Sequence, residues 1–156
     1  MLTIIGCGNL NRSDDAVGAI ASRRLQQFLT KYPSLEVRVY DLGTAGMEVM
    51  FQAKGAQELI IIDACSTGSE PGTTFQVPGK ELAELPEPAY SLHDFRWQHA
   101  LAAGRKIFAE DFPKKITVYL IEAANLDFGW ELSAAVEQAM NQVVMELEKK
   151  IAELDK

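Results

Sequence analysis

Basic residues are in deficit in this chain of 156 residues: 15 Lys and Arg stand against 22 Asp and Glu, a formal net charge of −7. Nucleic-acid binding rests on neutralising phosphates with clustered Lys and Arg, so the deficit speaks against that class of partner. Cysteine is scarce too. Cys7 and Cys65 are the only ones, too few and too far apart for a disulfide framework or a C-x-x-C metal site. No apolar run approaches the roughly 20 residues needed to cross a bilayer. The first residues lack the basic segment, apolar stretch and cleavage site of a secretory leader. These absences point to a cytoplasmic protein with no membrane partner. Also missing is the third glycine of a dinucleotide-binding turn. The opening GCGNLNRSDDAVG supplies Gly6 and Gly8, but the place of the next glycine is taken by Asn11. Asp14 and Asp15 would moreover repel a phosphate.

The residues that are present describe one α/β domain spanning 1–156. Hydrophobic residues make up 47% of the chain, enough for a single sizeable core. An apolar run at Thr3 to Ile5 reads as a first strand. Val17, Ile20, Ala21, Leu25 and Phe28 then form a helical stripe. LEVRVYDLG alternates like a strand with Val37 and Val39 on one face. TAGMEVMFQAKG reads as a short helix capped by Thr44 and ended by Gly55. ELIIIDAC is the strongest strand pattern, and GTTFQVPG suggests an edge strand in which Pro78 limits pairing. A Pro- and Glu-rich stretch from Lys80 to Pro88 is expected to be a surface loop. After it, SLHDFRWQHALAAGRKIF puts Trp97, Ala100, Leu101, Gly104 and Phe108 on one helical face. KKITVYLIEA reads as a further strand. A last helix carries Leu132, Val136, Met140, Val143, Leu147 and Ile151 in phase. Strands alternating with helices imply a three-layer fold: a mostly parallel twisted sheet with helices on both faces. Ligands in such sheets sit beyond the carboxyl ends of the strands. That directs attention to Gly8–Asp15, Asp41–Thr44, Asp63–Thr67 and the segment from Glu122 onward.

Each polar group in those segments has an ordinary role and a chemical one. Asp14 and Asp15 stand where a helix starts, and carboxylates there commonly cap free N–H groups. Two adjacent side chains cannot face one site, so one can cap while the other meets a ligand. Asp63 ends the most apolar strand, where a carboxylate is costly unless hydrogen-bonded, paired or bound to metal. His93 lies in SLHD, a capping-box pattern with Ser91 and Asp94, four residues before Trp97 on the same face. A helix N-terminus favours the neutral ring, which can donate a lone pair to metal; a satisfied core histidine is the alternative. His99 falls on another face and reads as surface. Two carboxylates and an imidazole suit zinc, nickel or a similar divalent ion with open positions. Cys65 with His93 offers a cysteine-hydrolase alternative, against which both cysteines read as small apolar residues at strand ends.

The motifs GCGNLNRSDDAVG, DLGTAGME, IIIDACSTGSEPGT and SLHD, in this order, resemble those of the nickel–iron hydrogenase maturation endopeptidases. The C-terminal LS and its long amphipathic helix resemble that family's C-terminus, so the likeness covers nearly the whole chain. It implies a hydrolase acting on peptide bonds, of the aspartic type, that removes the C-terminal extension of a hydrogenase large-subunit precursor after nickel insertion. Carried over by motif, Asp15, Asp63 and His93 match the family's catalytic and metal-binding positions. Asp15 stands where some members have Glu. Gly6, Gly8, Asn9, Asp41, Gly43 and Thr44 would support them, and Leu42 departs from the Gly or Cys frequent after Asp41. The implied metal is nickel carried by the substrate, read by three side chains too sparse for permanent binding; no organic cofactor is implied. Alternatives are a non-catalytic nickel-recognition or assembly factor and, on the glycine turn alone, a nucleotide-binding α/β protein.

Overall fold

The computed structural model describes residues 1–82 and 96–156. Among these residues five strands form one sheet: β1 (Leu2–Cys7), β2 (Val37–Gly43), β3 (Glu58–Cys65), β4 (Thr74–Pro78) and β5 (Lys115–Glu122). The helices are α1 (Val17–Leu29), α2 (Gly46–Ala53), the short α3 (Gly79–Leu82), α4 (Trp97–Phe108) and α5 (Ala134–Leu154). Strand order is β2-β1-β3-β5-β4. β1, β2, β3 and β5 run parallel, and only β4 pairs antiparallel, on the outer edge of β5. The edge position tolerates Pro78, which has no N–H to donate.

The period of two along each strand divides the core into two layers. Ile4, Val37, Val39, Ile60, Ile62 and Ile121 face α1 and α5, meeting Val17, Ala21, Leu25, Val136, Met140, Val143, Leu147 and Ile151. Ile5, Cys7, Leu59, Ile61, Ile116 and Val118 face α2 and α4, meeting Val49, Met50, Trp97, Ala100 and Leu101. Each buried aliphatic side chain contributes about 1.5–3 kcal/mol of transfer free energy. The same alternation carries Asp63 onto the α2/α4 face, in phase with Leu59 and Ile61. α1 and α2 leave the sheet on opposite faces, so the order in which strands are added reverses between the parallel β1 and β3. Their carboxyl ends flank a crevice there.

The expected elements are present, with local differences. β1 is longer than its apolar run because Leu2, Gly6 and Cys7 also pair. Thr44 does not cap α2: the preceding residue is Ala45, with no side-chain cap, since Gly43 at φ 55 turns the chain early. Leu132 packs against the core but precedes α5. The first residues of the expected loop, Lys80 to Leu82, lie in α3, and the remainder to Pro88 falls outside the described residues.

Candidate active site

Gly6 and Gly8 work with a third glycine that is not where a dinucleotide fingerprint would put it. A Cβ on Gly6 would lie 2.0 Å from the Gly18 carbonyl oxygen, and one on Gly18 would lie 2.2 Å from that of Ile62. Gly18, on the first turn of α1, therefore supplies the close helix–sheet contact missing at Asn11. Gly8 has φ 141, a conformation suited to glycine, and a Cβ there would meet the Asp15 carbonyl oxygen at 1.8 Å. The backbone folds back on itself, bringing Asp15 beside the end of β1. A 3-10 turn, Ser13–Ala16, carries both aspartates. Ser13 sits at φ 50, a left-handed conformation costing about 1–3 kcal/mol. It is held by its N–H to the Gly129 carbonyl and its hydroxyl to the Asp127 carbonyl, both at 2.9 Å.

The two aspartates separate as neighbours must, but neither side chain caps α1, whose N-terminus makes no side-chain cap. Asp14 turns inward and is fully buried. Its carboxylate accepts from Ala124 N at 2.8 Å, Asn125 N at 2.9 Å, Ser133 N at 2.7 Å and Ser133 Oγ at 2.8 Å. Burial alone would raise its pKa, but the bonds from Ser133, Asn125 and Ala124 win and hold it below the usual carboxylate value. Asp15 turns outward, its Oδ2 accepting from Asn9 N at 3.1 Å.

Asp15 and Asp63 line one cleft of about 260 Å³ at the switch point, with Cys7, Gly8, Asn9, Arg12, Gly43, Thr44, Arg96 and Trp97. Asp63 accepts Ala64 N on Oδ1 and Trp97 Nε1–H on Oδ2, each at 2.8 Å. Burial pushes its pKa from 3.8 up to about 7, with Asp15 adding to the rise against the lowering bonds of Trp97 and Ala64. Asp41 flanks this group without lining the cleft. Its carboxylate takes the Arg23 guanidinium at 2.8 Å and Gly43 N at 3.1 Å. Burial, and then Asp63, Asp41 and Asp15 in turn, drive the Cys7 thiol well above its ordinary value. Three carboxylates therefore act on the end of β1.

His93 lies outside the described residues, as do Ser91 and Asp94. Among the described residues no group of three His, Cys, Asp or Glu gathers as a metal cluster. The two carboxylates nonetheless suit a divalent ion. Each carboxylate has about four lone-pair positions, of which Asp63 uses one on Ala64 and one on Trp97. An added cation would also relieve the cost of ionising Asp63 beside Asp15.

Other polar groups differ from their sequence reading. Glu122 does not reach the cleft. It accepts Thr67 N at 2.8 Å and Ser69 N at 2.9 Å, together with the Thr67 hydroxyl. The Thr67 hydroxyl above all holds its pKa low, and the glutamate pins the loop after β3. Cys65 lies against it at 3.7 Å; burial and Glu122 push that thiol to about 12. His99 is half-buried rather than ordinary surface. Its Nδ1 accepts Arg96 N at 3.1 Å at the start of α4. Sequence reasoning missed the Asp14 clamp, the Gly18 contact and the Trp97–Asp63 bond. Only the last left a sign: an indole on an apolar face still needs a partner for its N–H.

Comparison with known proteins agrees with this geometry. The HycI family, described as hydrogenase maturation protease, matches residues 21–150. The hydrogenase 2 maturation protease of Escherichia coli (strain K12) is 31% identical over 153 residues, covering 94% of this chain and 90% of that protein. The hydrogenase expression/formation protein HupD of Thiocapsa roseopersicina is 29% identical over 145 residues, covering 92% of this chain and 64% of its own. Among solved structures, the hydrogenase maturating endopeptidase HybD from E. coli superposes with a TM-score of 0.75 at 28% identity, covering 96% of this chain and 93% of that one. The [NiFe] hydrogenase maturation protease HybD from Thermococcus kodakarensis gives 0.74 at 26% identity, covering 96% and 98%. The fold, the crevice and these likenesses over nearly its whole length agree: this chain belongs to the hydrogenase maturation protease family and is an endopeptidase.

Proposed function

We propose that this endopeptidase removes the C-terminal extension of a nickel–iron hydrogenase large-subunit precursor, in the cytoplasm, once nickel has been inserted. In this reading Asp15 and Asp63, with His93, contact the nickel that the precursor carries, and the metal is part of the substrate. The observation that supports it is that two carboxylates, one on the turn after β1 and one near the end of β3, line one open cleft. A resident structural zinc usually takes four protein ligands, often thiolates; Cys7 is buried at the edge of this cleft and Cys65 is bound to Glu122. Nickel at that point would supply positive charge to polarise a nearby peptide carbonyl. The chain's part is to hold Asp15 on the Asn9 amide and Asp63 on Ala64 and Trp97, so that the precursor's cleavage segment is seated beside them.

An order-of-addition assay with elemental analysis and mass spectrometry of both products tests this. Metal-free enzyme should cut the nickel-loaded precursor and leave the nickel-free one intact. If the purified enzyme holds about one equivalent of metal, and stripping it abolishes cleavage of a nickel-loaded precursor, substrate-borne nickel is the wrong account. Asp63→Ala should abolish cleavage in a folded chain; if both precursor forms bind and neither is cut even by the unaltered enzyme, a non-catalytic assembly role replaces it.

A further inference from the structure

Trp97 opens α4 and is only 3% exposed, yet its indole edge reaches the cleft. The ring packs in the α2/α4 core layer with Ile5, Cys7 and Ile61, which leaves it little freedom. Its Nε1–H donates to Asp63 Oδ2 at 2.8 Å, while Ala64 N donates to Oδ1 at 2.8 Å. Among the described residues each carboxylate oxygen therefore has one donor, and both donors are fixed: one belongs to the β3 backbone and the other to a core-packed ring. The terminal torsion of an aspartate is otherwise broad, so one donor alone would let the carboxylate plane swing. A buried indole N–H can be satisfied by any acceptor; here it is satisfied by the group argued to meet the substrate.

We propose that Trp97 is a positioning residue for the cleavage reaction: its indole N–H locks the carboxylate plane of Asp63, so that the remaining lone pairs face the nickel-bearing segment of the precursor. This rests on the reading of Asp63 as a nickel contact. Partners that orient a metal-binding group typically change affinity or activity by about 10–100-fold when removed.

The experiment deletes the N–H and keeps the ring. Because the chain has 2 Trp and Trp130 is 83% exposed, a Trp130→Phe protein leaves Trp97 as the sole indole. Replacing that indole with benzothienylalanine exchanges N–H for sulfur at nearly constant shape. The expected result is a kcat/KM on nickel-loaded precursor about 10–100-fold lower, with a thermal midpoint within about 3 °C. Trp97→Phe should show the same loss. A second readout uses nickel chloride alone. In the ¹H–¹⁵N spectrum of the unaltered protein, the paramagnetic ion should broaden the Trp97 indole signal while that of Trp130 stays sharp, and Asp63→Ala should remove the broadening. Cleavage within about 2-fold of the parent by the benzothienyl protein overturns the role of Trp97, as does equal broadening of both indoles. If Asp63→Ala itself cleaves normally, the fault lies instead with the assignment of Asp63.

Discussion

Replacing Asp63 with asparagine removes one titration and keeps the size of the side chain. In the folded protein, burial raises the Asp63 carboxyl from 3.8 to about 7. At about 1.36 kcal/mol for each pH unit, that rise corresponds to about 4 kcal/mol. Asp63 is half-buried and open to the cleft, so screening by water lowers the expected swing to about 2 kcal/mol. The sign follows from proton counting. Between the unfolded and folded values the native chain holds a proton that the unfolded chain has released. The associated stability is therefore complete below about pH 4 and is lost as pH rises through about 7. An asparagine at this position cannot titrate. It also loses one of the two hydrogen bonds, because its amide oxygen can still accept from Ala64 or Trp97 but its nitrogen from neither, and that cost does not vary with pH. Urea unfolding of the parent and of Asp63→Asn at several pH values from about 4.5 to 8 isolates the titration as a difference of differences. The parent should lose about 2 kcal/mol more than the variant over this range. Two curves parallel to within about 0.5 kcal/mol would refute the claim that Asp63 is held partly protonated by burial.

Cys65→Ser should cleave precursor at a rate within about 3-fold of the parent, because burial and Glu122 keep the thiol protonated at neutral pH, up to about 12; complete loss in a folded protein would point to a thiolate nucleophile. Asp14→Ala strands the amides of Ala124, Asn125 and Ser133 and should cost about 3–5 kcal/mol. A change below about 1 kcal/mol in urea would mean that the buried carboxylate is not a clamp. Gly18→Ala would put a Cβ 2.2 Å from the Ile62 carbonyl oxygen and 2.3 Å from that of Cys7. It should lower stability by about 3 kcal/mol or more, about 6–12 °C in thermal midpoint for a chain of this length, and an unchanged midpoint would contradict the tight crossing.

The sheet was readable because its signals are local. ELIIIDAC states its own burial, and the period of two assigns Asp63 to a face once Leu59 and Ile61 are placed inside. Asp15 was singled out from its neighbour only by the order of the motifs and the family they resemble, not by a local signal. Asp14 was not readable, because its partner Ser133 lies 119 residues away and nothing in SDDA says which carboxylate turns inward. Thr44 misled because a hydroxyl before a helix looks like a cap, whereas the left-handed Gly43 moves the helix start beyond its reach. Gly18 was hidden inside a helical stripe, where a glycine ordinarily reads as a weak spot and here marks a crossing. Glu122 is the last residue of β5 and Asp63 stands near the end of β3, yet the loop from Thr67 to Ser69 wraps Glu122, and loop conformation is what a strand pattern does not carry.

The contact of Gly18 with Ile62 and Cys7 has a mechanical consequence. Carbonyl oxygens sit where any Cβ would be, so α1 has no clearance to slide or roll across β1 and β3. The turn bearing Asp15 is also anchored behind by Asp14. One jaw of the crevice is thus an anvil, held to the sheet through Gly18 and to the segment between β5 and α5 through Asp14. The opposite jaw is built from Thr44–Gly46 and the first residues of α4, where the backbone bonds of Ala45 and Gly46 reach only Leu42 and Thr44. A polypeptide entering the crevice must take the anvil as it stands, and with α2 and α4 packed together in the core, the turn Thr44–Gly46 is the part of the rim with the fewest ties to yield.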